Sequence, residues 1–366
     1  MNRSPVVRPE ITTVRGLACV ALVAYHVIGP TSGSGMRLPD SSLWHHAMNG
    51  LDFLRMPIFA VIAGYVYARR RVDAGSLMRF MTSKFTRLAI PLIFVTAVMV
   101  ALRFAAYGAK TSLLTALTSH YQHLWFLQSL LIIFVLVALC DAYGRLSSKG
   151  LVVVAITTLA VSQPLPFPNT LSLNGVVYLA PLFLFGMLLR EESSLLEKRQ
   201  IRVGIWFVSV GLLLQQAAPL LGATDVPRTS LAAALCGCAA AYVLFATCPR
   251  FALFETIGAY SYTIYLWHSI ASASARETLE RYAHLPTGIE FTLLLAIGIV
   301  VPILLHLAVR RIPVLATLIT GLKPPSFSAG QAPTQVSPAR PRNGVRHAND
   351  NRATSRTSRH NHVTTR

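Results

Sequence analysis

Apolar runs of about twenty residues, enough to cross roughly 30 Å of hydrocarbon as a helix, recur along the chain. They lie at 11–29, 50–68, 87–106, 122–140, 174–190, 203–221, 229–247, 254–275 and 288–309, and a shorter run, LVVVAITTLAVS at 151–162, adds a tenth. Polar and charged residues collect between them. The pattern predicts an all-α chain, a polytopic membrane helix bundle of about ten transmembrane helices. From Lys323 onward the sequence turns to Pro, Ser, Asn and Arg and cannot bury a core. The expected organisation is a short cytoplasmic N-terminus (1–10), a ten-span membrane domain (11–310) and a disordered basic cytoplasmic tail (322–366).

Composition agrees with a membrane protein: 53% of the 366 residues are hydrophobic and 13% charged, and the mean hydropathy is +0.53. The formal net charge of +19 would suit a nucleic-acid binder, but its distribution along the loops reads otherwise. Basic residues follow every second span: Arg69 to Arg71, Arg79 and Lys84; then Arg145 and Lys149; then Arg190, Lys198, Arg199 and Arg202; then Arg250. The alternate loops carry few. Counting the short fifth span, this alternation satisfies the positive-inside rule with both termini in the cytoplasm, so the expected site is a bacterial cytoplasmic (inner) membrane. Membrane lipids are then the partners of the basic tail, with no role for nucleic acid. The five cysteines lack metal-site spacing, and neither a disulfide nor a metal is expected. Arg3 and Arg8 precede the first run as in a signal peptide, but no small-x-small cleavage site follows, so it reads as a retained span.

Ionisable groups inside hydrocarbon cost a few kcal/mol each and tend to mark a pathway or a site. The first span holds two, Arg15 and His26. At about 100° per residue, eleven steps return to the same face after roughly three turns, about 16 Å along the axis. His268 falls past the middle of the ninth span, and Asp52, Arg55, His123 and Trp125 open the second and fourth, all at a similar outer depth. Asp52 and Arg55 also read as a simple i,i+3 ion pair, and Trp125, Tyr260, Tyr262 and Tyr265 as a membrane aromatic belt. At the cytoplasmic entry to the third span, Lys84 and Arg87 are three residues apart, hence on one helical face, with Arg79 near them. Paired cations there suit a phosphorylated ligand or ordinary positive-inside anchoring. No Gly-rich phosphate loop, HExxH, GxSxG or HxxxxD pattern occurs.

Five segments together resemble the membrane-bound acyltransferase-3 family of bacterial O-acyltransferases. They are RGLACVALVAYH (15–26), with an Arg-x10-His spacing, FLRMPIFAVIAGYVY (53–67), FMTSKFTRLAIP (80–91), HLWFLQSLL (123–131) and IGAYSYTIYLWHS (257–269). Two departures stand out: the family's Arg-x-x-Arg is Lys84-x-x-Arg87, and its Ser-Gly in the second span is Ala63-Gly64. The resemblance implies an acyl-CoA-dependent transfer, acetyl in the first instance, to a hydroxyl of a cell-surface glycan or glycolipid, in the company of polysaccharide assembly proteins. It implies His26 as general base, Arg15 as the group holding the pantetheine path or the developing charge, and Lys84, Arg87 and Arg79 as the coenzyme-binding cations. Asp52, Arg55, Trp125, Tyr265 and His268 would contact the acceptor. A secondary transporter or lipid-linked glycan flippase would also need buried Arg and His, but matched interrupted spans are missing from the two halves. A catalytically dead scaffold would not need both Arg15 and His26.

Overall fold

The first apolar run closes into helix α1 (Pro9–Ile28), with Glu10 in its first turn and a stop at Gly29, followed by Pro30. Gly29 has φ 93°, a conformation that glycine adopts without steric cost. The computed structural model describes residues 9–50, 55–144, 147, 149–151, 153–155, 157, 170–216, 230–282 and 285–322. Thirteen further helices follow among them: α2 (Leu43–Gly50), α3 (Met56–Ala68), α4 (Leu77–Lys84), α5 (Ile90–Tyr107), α6 (Leu113–Thr118), α7 (Trp125–Tyr143), α8 (Leu173–Glu191), α9 (Ser194–Glu197), α10 (Arg199–Gln216), α11 (Leu231–Thr247), α12 (Ala252–Tyr282), α13 (Thr287–Val309) and α14 (Pro313–Thr320). No strand occurs among the described residues, and the chain is a polytopic membrane helix bundle.

Among the described residues, five helical stretches are long and apolar enough to cross a membrane: Glu10–Ile28, Leu77–Tyr107, Leu113–Tyr143, Thr170–Glu191 and Thr287–Val309. Helices α3 and α11 are apolar but shorter. The second expected span begins late, at Met56, with Pro57 in its first turn. Its 13 residues cover about 20 Å, less than the hydrocarbon thickness. Of the short fifth run, the described residues between 149 and 157 are helical. Residues 158–169, the N-terminal eight and the basic tail from 323 lie outside the described residues.

Two close crossings organise the bundle. Where α1 meets α12, a methyl group on Gly16 would overlap the carbonyl oxygen of Phe254, and one on Gly258 that of Thr12. Where α3 meets α8, Gly64 and Gly186 stand in the same reciprocal relation to the carbonyls of Phe183 and Val61. Lipid tails are as apolar as leucine, so helices in a bilayer associate through backbone approach and dispersion, which small residues permit. The crossing with α8 also buries α3, on which Pro57, Ile58, Ala60, Val61 and Gly64 are all interior.

Helices α4 and α5 join through a π-turn, Phe85–Ala89, for which Pro91 supplies a cause. A proline ring clashes with the carbonyl four residues back and offers it no N–H, so the helix widens and the Arg87 carbonyl loses its usual donor. Tyr262 of α12 replaces that donor, its hydroxyl 2.7 Å from the Arg87 oxygen. At the same end of the bundle an ion network ties α3, α7 and α8 together. Arg71 Nε donates to Asp141 at 3.0 Å, its second nitrogen pairs with the same carboxylate, and its third reaches Glu191 at 2.5 Å. The Tyr67 hydroxyl completes the shell of Asp141 at 2.8 Å. Burial works against the Arg71 charge, but the hydrogen bond and charge of Asp141, aided by Glu191, more than restore it and hold its pKa above the ordinary value.

Candidate active site

Arg15 and His26 of α1 face different surroundings. His26, half-buried, opens onto a cavity of about 880 Å³ formed where α1 ends and α7 begins, with α5 and α12 as further walls. Arg15 lies on the same face about 16 Å away and takes no part in that cavity.

Around His26 the structure assembles an aromatic and histidine cluster from three helices. Its ring centroid lies 5.0 Å from that of His268 on α12 and 5.7 Å from that of His123 in the turn before α7. His123 and His268 are 4.9 Å apart. The Ser269 hydroxyl stands between these two, 3.2 Å from His123 Nδ1 and 3.2 Å from His268 Nε2. The Tyr265 hydroxyl donates to the His123 carbonyl at 2.5 Å, which fixes the turn that carries this histidine. On the facing wall the buried Arg55 guanidinium sits 3.6 Å over the ring of Tyr25, the neighbour of His26. Trp125 lines the cavity with His120 stacked on it at 5.0 Å. Among the described residues no three His, Cys, Asp or Glu side chains are placed to hold a metal ion.

The surroundings of Arg15 are cationic. Arg15 and Lys84 each lie close enough to Arg87 to feel its charge. Among the described residues none of the three is paired with a carboxylate. Arg15 Nε is buried without a hydrogen-bond partner, and Lys84 Nζ is held 3.5 Å over the Phe134 ring.

A family model described as an acyltransferase domain, acyltransferase-3, matches residues 8–307, nearly the whole chain. The chain belongs to the acyltransferase-3 family. It is therefore a membrane acyltransferase. Neither the curated proteins nor the solved structures contain a match.

Set on this acyltransferase, the site residues expected from sequence divide into three groups. His26, Arg55 and Trp125 reach the cavity, while Arg15, Lys84 and Arg87 form the cationic group. Tyr265 and His268, 5% and 0% exposed, sit behind the cavity wall and contact its residues rather than its space. Arg79 is exposed on α4, and Asp52 lies outside the described residues. Lys84 and Arg87 are not a same-face pair on a regular helix, because the π-turn begins between them and alters the rotation per residue. The aromatic-belt reading of Tyr262 and Tyr265 gives way to interior hydrogen bonds, because both hydroxyls find carbonyl acceptors across the bundle. Ser269 had no place in the sequence reading. Its position four residues after Tyr265 on one helical face is the periodic signal that points to it.

Proposed function

We propose that this membrane acyltransferase moves an acyl group, acetyl in the first instance, from cytoplasmic acyl-CoA to a hydroxyl of a cell-surface glycan or glycolipid. The observation that carries the reading is the axis along α1, with His26 on a cavity at one end and, at the other, three cations without a carboxylate partner among the described residues. Their separation of about 16 Å is of the order that an extended pantetheine arm spans. Lys84 and Arg87 hold the coenzyme phosphates, the lysine as a point charge and the arginine through its planar fork. Arg15, about 16 Å from the reacting carbonyl, lies along the pantetheine path and meets the donor there. Arg55 and Trp125 position the acceptor.

In the transfer step a ring nitrogen of His26 takes the proton of the acceptor hydroxyl as its oxygen bonds to the thioester carbonyl carbon. The carbon–sulfur bond breaks, its electron pair leaves with the coenzyme thiolate, and the proton passes on to that sulfur. Imidazole suits the task near neutral pH. With cytoplasmic termini, as the loop charges suggest, the cavity faces outward in a bacterial inner membrane, where lipid-linked or exported glycans and their assembly proteins would meet it.

The test is transfer in membranes, with acetyl-coenzyme A and surface glycan taken from cells that lack the gene. A positioned general base contributes about a hundredfold to ten-thousandfold, so His26→Ala should cut turnover by that much at equal protein levels. Near-normal turnover would remove His26 as the base. Mass spectrometry of the glycan should show an acyl increment that depends on the wild-type chain.

A further inference from the structure

The hydrogen bonds around His123 and His268 leave room for one protonation pattern in these two rings. His268 Nδ1 lies 2.9 Å from the carbonyl oxygens of Ile264 and of Tyr265. Carbonyls only accept, so this nitrogen carries the proton and Nε2 of the neutral ring is a bare acceptor. A charged ring at this position, 0% exposed and with no ion pair among the described residues, would lose its hydration without compensation. The single hydrogen of Ser269 must therefore go to His268 Nε2, and the serine oxygen must in turn receive an N–H from His123 Nδ1. His123 is thereby fixed with a lone pair on Nε2.

That nitrogen is buried and has no hydrogen-bond partner, in a side chain 3% exposed on the wall next to His26. A buried acceptor left unmade is unfavourable, and sites where one persists often serve a second state of the molecule. The imidazole of His26 is beside it: the rings of His26 and His123 meet edge to face at 5.7 Å.

We propose that His123 is the positioning residue of the base, its bare Nε2 accepting the N–H of His26 when the acceptor fills the cavity. This rests on His26 being the base. The hydrogen bond fixes which nitrogen of His26 stays bare towards the acceptor hydroxyl, and it continues to hold the ring while His26 carries the abstracted proton. No proton moves to His123. Ser269 and His268 act one step further back, by locking the tautomer of His123. Catalytic hydrogen bonds are often open before substrate binds and close in the complex.

The test uses the full chain in lipid nanodiscs with acetyl-coenzyme A and surface glycan from cells that lack the gene. His123→Phe keeps a ring without the acceptor, His123→Gln offers an acceptor near the position of Nε2, and Ser269→Ala releases the tautomer. Loss of a hydrogen bond to a group that becomes charged should lower kcat about tenfold to a hundredfold in the Phe variant, with KM for the donor unchanged. Gln should recover most of the rate, and Ser269→Ala should fall between. Equal rates for wild type and His123→Phe, in a protein that His26→Ala inactivates, would overturn the positioning role and leave the base intact. Gln as poor as Phe would reduce His123 to a packing ring. An active His26→Ala would instead remove the base. Imidazole ¹⁵N spectra of the chain read the tautomer without turnover: a protonated Nε2 on His123 overturns the proposal, and a bare one that becomes protonated in Ser269→Ala supports it.

Discussion

Two groups of cations stand at the same end of the bundle and are built in opposite ways. Arg71, 8% exposed in its side chain, has Asp141 and Glu191 against its guanidinium and Tyr67 behind them. Arg15, Lys84 and Arg87 have no carboxylate among the described residues, only an aromatic face under Lys84 and one another's repulsion. A fold that needs a buried charge for its own cohesion surrounds it with opposite charge, because an ion left unpaired costs several kcal/mol. The second group omits that compensation at the part-buried Arg15 and Lys84, beside an exposed Arg87. On the function proposed above, the difference separates a charge that joins helices from charges kept open for the phosphates of the donor.

The comparison can be broken at either side, and the largest effect is expected in the first group. Asp141→Ala leaves Arg71 and the Tyr67 hydroxyl without their shared acceptor and should lower stability by about 3–5 kcal/mol. It should appear as a lower unfolding temperature in detergent, with transfer per folded molecule little changed. Loss of transfer at unchanged stability would merge the two groups.

Arg15→Met should do the reverse, cutting kcat/KM for acetyl-coenzyme A roughly a hundredfold, or about 2.7 kcal/mol, mostly through KM, while the unfolding temperature holds or rises. A destabilised but fully active Arg15→Met would make Arg15 structural. Lys84→Ala comes next, with an expected rise of about tenfold in KM for acetyl-coenzyme A and little change in kcat, whereas Lys84→Arg should bind the donor as well as wild type or better. The smallest effect sharpens the boundary of the group: Arg79, exposed on α4, should tolerate alanine with less than about 0.5 kcal/mol in stability and no change in KM. A KM shift in Arg79→Ala as large as that in Lys84→Ala would extend the donor site along α4.

Much of this molecule follows from local pattern. Apolar runs of spanning length dictate helices, because an unpaired backbone in hydrocarbon is too costly for any open alternative. The eleven-residue spacing of Arg15 and His26 determines that they share a face, since helical rotation is a local property. Five ordered segments were enough to indicate the family, and residues 8–307 match it. What the sequence could not decide were relations between helices. Depth alone placed His26, His123 and His268 at one level, and only the glycine crossing of α1 with α12, together with the turn before α7, brings their rings within 5.7 Å of one another. The resemblance made His268 and Tyr265 candidates for the acceptor, whereas the packing puts both behind the wall, because the side of a helix that meets a cavity depends on its neighbours. The π-turn at Phe85–Ala89 lies between these cases: Pro91 makes a local break inevitable, but the Tyr262 hydroxyl that replaces the missing donor lies 175 residues from Arg87 along the chain, a choice only tertiary structure can make.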